Sequence, residues 1–481
     1  MEPAVTLELR RRELERRSRD LPTEVDEWQA RVSDDLDMNI HWSQLESIGA
    51  LTRSYGDQQR QILNALPAAD DRAGYEARLF DLLNAIVASQ RAWDFFRSKL
   101  ELRRSNRFKR RLRVADIVAI DCYDAALKQA LANNWLAQDD VREPPLTYLS
   151  PEISPMTWVR GARPSDGRTE ELEGKTLPIP VIELPFDHLA NVWEFLSLHH
   201  EVGHEIDADL KLLPEIKGKL TAALQANVNI PDVRKRRWSG WLSEILADLI
   251  ALQLGGPAFA DMLLHMLLLP QTAVTTIVLG DVHPNHYLRI RLASAYIHTM
   301  ADAADASGDA GFATRLRSHA DGIDALWAGL YGAPADLQAY LADIPLVISA
   351  VMDSDLPVLG GNKLRSLIPY TSDQDRDVRE AAVPLRTGGL PGFTIAPRHA
   401  VSASRLAVNA AMNAGASDSD LNTIADAAVA LIEREAPRGL RAADNPLVGS
   451  SNAREARAAR FVSADLKAPT DLSRVLMKPW N

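Results

Sequence analysis

The chain has 481 residues, 46% of them hydrophobic and 25% charged, with a net charge of −11 and a pI near 5.6. This is the composition of a soluble globular protein with ample material for a core, and its length suggests about two to four domains. The acidic balance argues against a nucleic-acid partner or a general attraction to anionic membranes.

The exception is the basic run "RRSNRFKRRLR" at 103–113, which reads as a solvated helix face or loop. Cys122 is the single cysteine, so no internal disulfide ties the chain to an oxidising compartment. The opening "MEPAVTLELRRRELERR" lacks the apolar stretch of a secretory signal. The most apolar run, 262–280, is interrupted by His265, Pro270, Gln271 and three threonines, which argues against a membrane span. The expectation is a cytoplasmic protein.

Residues 1 to about 140 predict helices. "LELRRRELERR", "YEARLFDLLNAIVASQRAWDFFRSKLEL" and "VADIVAIDCYDAALKQALANNW" carry apolar residues three and four apart, with breaks near "LPTEVD" and "LPAADDRAG". The stretch 142–187 is rich in Pro and Gly with short β-prone runs, and its centre, "RPSDGRTEELEGK", reads as an exposed loop. "IPVIEL" at 179–184 is a short strand whose prolines place it at a sheet edge.

Helices resume near Asn191, which forms a capping-box pattern with Glu194. A helix over 239–256 opens on Ser239 and stops at Gly255-Gly256-Pro257. Another begins near Tyr287. Periodicity weakens beyond about 345, returns in "HAVSASRLAVNAAMNAGASDSDLNTIADAAVALIEREA", and gives way to a polar tail of about 40 residues read as partly flexible. The fold class is mainly α with a small β-sheet (α+β). It divides into an N-terminal helical region (1–141), a core (142–345) and a C-terminal helical region (346–481).

The chemistry concentrates in "LHHEVGHEID", 198–207, which contains His200-Glu201-x-x-His204. On a helix, positions i and i+4 share a face, so both imidazoles can reach one zinc ion, and Glu201 lies where a carboxylate can take a proton from water on that ion. By chance the pattern arises in roughly one or two chains in a hundred of this composition, so a third ligand must be sought. A metzincin-type arrangement, with a glycine three and a ligand six residues after the second histidine, is excluded because those positions are Asp207 and Leu210.

A glutamate from a later helix is the other common solution. Glu244 sits in "WLSEILAD", a strongly apolar helix, and Asp248, one turn on, can orient a ligating histidine. "GDVHPNHYLRIRL", 280–292, clusters His283, His286, Tyr287 and Arg289, any of which can donate to a developing oxyanion.

Together, His200-Glu201-x-x-His204, Glu244-Ile245-Leu246-Ala247-Asp248 and His283-Pro284 followed by Arg289 resemble the gluzincin zinc metallopeptidases. The pattern is most similar to the family of CAAX-processing and heat-shock membrane metallopeptidases, without their transmembrane segments. The resemblance covers about 179–300 and implies a zincin-like core with one catalytic Zn2+ held by His200, His204 and Glu244. It further implies Glu201 as general base, Asp248 as support for a ligand, His283 as oxyanion donor and Arg289 as support for Glu244 or the intermediate. It also implies that "IPVIEL" pairs with an extended protein or peptide substrate. His286 and Tyr287 remain further candidates for the oxyanion. The helical flanks motivate two alternatives: a weakly active scaffold, or a protease held in check by a regulatory protein partner.

Overall fold

The computed structural model describes residues 3–33, 35, 38–67, 71–163, 176–332, 334–436 and 451–467. It is mainly helical, with one three-stranded and one two-stranded sheet among these residues.

The N-terminal helices are α1 (Pro3–Val32), α2 (Trp42–Asn64), α3 (Arg72–Glu101) and α4 (Lys109–Ala132). Their apolar stripes decide their packing. In α3, Leu79, Leu82, Ile86, Trp93, Phe96 and Leu100 recur three, four and seven apart and are all buried. The break expected at "LPTEVD" is absent, because α1 runs through Pro22. The proline ring lies against Gly56 of α2, so tertiary packing accommodates what local preference would have ended.

The sheet follows: β1 (Leu146–Ser150), β2 (Met156–Trp158) and β3 (Val181–Pro185), in the order β1-β3-β2. β3 pairs in parallel with β1 and antiparallel with β2. The strand expected at the edge is therefore central. Its prolines flank the ladder or end it, and the carbonyl of Pro180 still accepts from Leu146 N at 3.0 Å. The edge beside the later helices belongs to β2. Most of the predicted loop, 164–175, lies outside the described residues.

Arg103 corrects the reading of the basic run as solvated. It is 1% exposed, and its guanidinium binds Asp116 at 2.7 and 3.0 Å and the Thr147 carbonyl at 2.6 Å. Thr147 also donates to Asp116 through N and Oγ1. This buried pair ties β1 to α4. Burial alone would raise the Asp116 carboxyl, but Arg103 overrides it and holds the group at about 2. Arg110 and Arg111 bind Glu433 and Asp426.

Then come α5 (Ser197–Leu210), α6 (Leu212–Ala226), α7 (Asp232–Gly240), α8 (Leu242–Gly255), α9 (Pro257–Met266), α10 (Gln271–Thr275), α11 (His286–Ala306), α12 (Ala310–Tyr331) and α13 (Gln338–Met352). Asn191 caps a 3-10 turn, Val192–Leu196, with no side-chain bond, so no capping box forms. Glu194 is drawn instead to Arg405, at 3.2 Å. Ser239 lies in the last turn of α7, and α8 starts three residues later, but its end at Gly255 is as expected, with Gly256 at φ +63°. Asn285 caps α11, accepting from Tyr287 N at 3.0 Å.

The apolar run 262–280 splits into α9, a loop and α10. Among the described residues, Ala335–Met352 is long and apolar enough to cross a membrane by length and composition alone, and half of it is buried inside the molecule. Within it, Asp343 accepts from Arg234 and from Trp238 Nε1, which anchors α13 to α7.

The chain continues through a hairpin of β4 (Asp355–Leu356) and β5 (Asn362–Lys363) to α14 (Ser372–Leu385), α15 (Pro397–Asn413), α16 (Asp418–Glu435) and α17 (Ser451–Lys467). Part of the tail read as flexible is thus a helix. α17 packs on α2, and its Asp465 accepts from Tyr55 OH, Thr176 N and Thr176 Oγ1. One buried core runs from α4 to α16, and a second joins α1–α3 with β1, β3 and α17.

α5 and α8 pack face to face at Gly203. A methyl group there would lie 3.1 Å from both Cα and O of Ala247, so glycine permits the approach. Gly203→Ala should therefore cost on the order of 1–3 kcal/mol, as overpacked cores do. Urea unfolding checks this, and an unchanged midpoint would refute the contact.

Candidate metal centre

The spacing of His200 and His204 puts both rings on one face of α5, and α8 crosses that face with Glu244 one turn from the contact at Ala247. His200 Nε2 and His204 Nε2 are 3.2 Å apart. Glu244 Oε2 lies 3.3 Å from His200 Nε2, and Glu244 Oε1 lies 3.5 Å from His204 Nε2. Ligand atoms about 2.0–2.1 Å from a tetrahedral zinc lie roughly 3.3 Å from one another. The three residues therefore fit one ion, with one ligand atom from each lying within 4.8 Å of the others. Glu244 Oε2 is also buried, with no hydrogen-bond partner among the described residues, which a cation would relieve.

The supporting groups are equally ordered. His200 Nδ1 lies 2.8 Å from Asp248 Oδ1. Donation of that N–H leaves the Nε2 lone pair facing the cluster. Arg289 closes on Asp248 with two bonds, Nε at 2.9 Å and a terminal nitrogen at 2.8 Å. Glu201 Oε2 accepts from Thr157 Oγ1 of β2 at 2.7 Å, and the same hydroxyl contacts the Glu201 carbonyl at 3.1 Å.

Three carboxylates (Glu201, Glu244, Asp248) face one guanidinium, leaving a formal deficit that a divalent cation matches. Burial alone would lower His200, but the Asp248 carboxylate overrides it and holds the ring up at about 10. A proton there is a weak substitute for a metal. Burial and the neighbouring His200 push His204 down to about 4. Burial raises the Glu201 carboxyl above its ordinary value. Burial would raise Glu244 too, but the neighbouring His200 ring overrides this and holds it at about 2.

The candidates from 280–292 separate. His283 reaches the cluster: its Nε2 is 3.3 Å from Glu244 Oε2, its Nδ1 is 3.1 Å from Asp281 Oδ1, and its side chain is about half exposed. Arg289 joins through Asp248. Tyr287 is directed elsewhere, donating to the Gly332 carbonyl at 2.9 Å and packing near Trp327. His286 is half-buried and does not line the cavity at His200 and Glu201. His199, on another face of α5, is fully buried. Asp207 binds Leu213 N at the turn into α6, and Asp209 binds Arg160 and Tyr123.

That cavity, about 60 Å³, is lined by Ser197, Phe259, Met262, Leu263 and Met266 together with His200, Glu201, His283 and Arg289. The α9 wall and Thr157 were not foreseen, since neither belongs to a motif. Asp281, two residues before His283, was legible as a short-range partner. Compared with protein-family models, curated proteins and solved structures, the chain matches none.

The buried His199 supplies an acid-sensitive term. Burial holds its ring near 4 against an ordinary value of 6.5. Between these values the unfolded chain binds a proton that the folded chain refuses, so stability falls as pH drops through that window and levels off below it. The loss is on the order of 3 kcal/mol. Unfolding measured from pH 6.5 to 4 should show a shallower decline for His199→Leu than for wild type; parallel declines would rule the term out.

Proposed function

We propose that this chain is a zinc-dependent metallopeptidase of gluzincin type. The observation that carries the reading is the convergence of His200 Nε2, His204 Nε2 and the Glu244 carboxylate at 3.2–3.5 Å, beside the buried Glu201. A bound zinc ion would supply Lewis acidity, polarising a peptide carbonyl and lowering the pKa of water to about 7.

The chain's own residues supply the rest. Glu201 takes a proton from the attacking water and returns it to the leaving amine. Its burial, which favours the protonated carboxyl, suits a group that must hold a proton between these steps. Thr157 fixes Oε2, leaving Oε1 for the transfer. Asp248 and Arg289 hold the His200 ring in one orientation. His283 stands on the open side of the cluster, where the oxygen of a polarised carbonyl needs a donor.

Two features bear on substrate. Among the described residues β2 is paired on one side only, to β3, and it carries the residue that touches Glu201. An extended peptide adding to β2 would pass the cluster. The aliphatic and aromatic wall of α9 favours a small apolar side chain next to the scissile bond.

Purified protein should hold one zinc, and Glu201→Gln should keep it while losing about 10²–10⁴-fold in cleavage of a peptide library read by mass spectrometry. Equal cleavage by the variant, or protein that takes up no zinc, would end this reading. Asp248→Ala should weaken zinc binding about 10–100-fold, measured by competition with a chromogenic chelator.

A further inference from the structure

Helix α9 separates two cavities. Phe259, Met262, Leu263 and Met266 line the one at Glu201. Pro257, Ala258, Asp261, Leu264 and His265 line a second, of about 1040 Å³, whose other walls come mainly from α12, α14 and α15. The alternation follows the helical period, so opposite faces of α9 serve different spaces. Nothing in the proposed mechanism uses the larger one.

Its lining joins two chemistries. Leu264, Ile323, Leu326, Leu406 and Met412 supply an apolar surface, and Leu326 and Met412 are more than half exposed. Against it stand Arg315, Arg379, Arg405 and His319, with the carboxylates Glu194, Asp261 and Asp375. Arg405 takes Glu194 at 3.2 Å. His319 takes Asp261 at 2.9 Å, and Asn409 takes the other Asp261 oxygen at 2.9 Å.

Asp375 is left to serve two guanidiniums, with Arg315 Nε at 2.9 Å and Arg379 Nε at 3.0 Å on the same oxygen. Nearby Asp309 is engaged in capping α12, accepting from Phe312 N. The terminal nitrogens of Arg315 and Arg379 make no hydrogen bond among the described residues, and both side chains are about 40% exposed. Paired guanidinium forks match a carboxylate. Across the whole lining three guanidiniums face three carboxylates, so the attraction for an anion is confined to the Arg315 and Arg379 pair, which shares one oxygen of Asp375.

We propose that the second cavity binds an amphipathic organic anion, a carboxylate on an aliphatic chain. The head lies on Arg315 and Arg379, and the chain runs along Leu264, Ile323, Leu326 and Met412. The site is complete without the metal cluster and does not depend on the metallopeptidase reading. Only its consequence does: a chain seated against α9 bears on the wall of the pocket at Glu201.

Calorimetric titration of the full chain with sodium decanoate tests the site directly. Saturable binding is expected, with little or none for decyltrimethylammonium, which has the same chain and the opposite charge. Arg315→Lys with Arg379→Lys keeps Asp375 paired but removes both forks, and should weaken decanoate roughly tenfold. Leu326→Glu, at the exposed mouth, should weaken it too, and circular dichroism confirms that both variants fold. Glu201→Gln should bind decanoate as wild type does, whatever its effect on peptide cleavage. No saturable decanoate binding, equal binding of the cationic chain, or binding indifferent to these substitutions would overturn the proposal.

Discussion

The approach of α5 to α8 at Gly203 and Ala247 sets the distance on which the candidate metal centre depends. A side chain at 203 would push the helices apart, and the 3.3–3.5 Å spacings between Glu244 and the two histidines would open. The apolar residues of both helices pay for this closeness: Val202, Ile206, Ile245, Leu246 and Leu249 are all buried. Gly203 of "HEVGH" is therefore part of the architecture, although it offers no ligand.

Electrostatics makes the same arrangement costly without a cation. Buried carboxylates are tolerated only when paired. Asp248 is satisfied by His200 and Arg289, and Glu201 by Thr157. Glu244 is less well served: among the described residues its Oε2 has no hydrogen-bond partner, only the rings of His200 and His283 at 3.3 Å. In the absence of metal a proton on His200 partly compensates. Any metal bound here would displace that proton, because its ligands must be deprotonated.

Much of this was legible because it is local. Histidines four apart on an apolar helix share a face in any fold, Gly255-Gly256-Pro257 ends a helix, and another begins near Tyr287. The errors arose where packing overruled local preference. Pro22 stays within α1 because Gly56 of the neighbouring helix leaves room for its ring. Arg103, in a run that reads as surface, is buried because Asp116 and the Thr147 carbonyl await it. Glu194 serves Arg405, more than 200 residues away, in place of a capping box.

By itself, the sequence determined the mainly helical class, the pair of imidazoles on one helix face and the candidates Glu244 and Asp248, because helical period and residue chemistry act over a few residues. Only the tertiary structure decided that Glu244 meets the histidines, that Thr157 of the edge strand holds Glu201, and that His283 reaches the cluster while Tyr287 turns to Gly332. It alone revealed the second cavity behind α9. Those outcomes depend on which elements touch across long separations in the chain, and that is set by the fit of whole buried surfaces, which no short motif encodes.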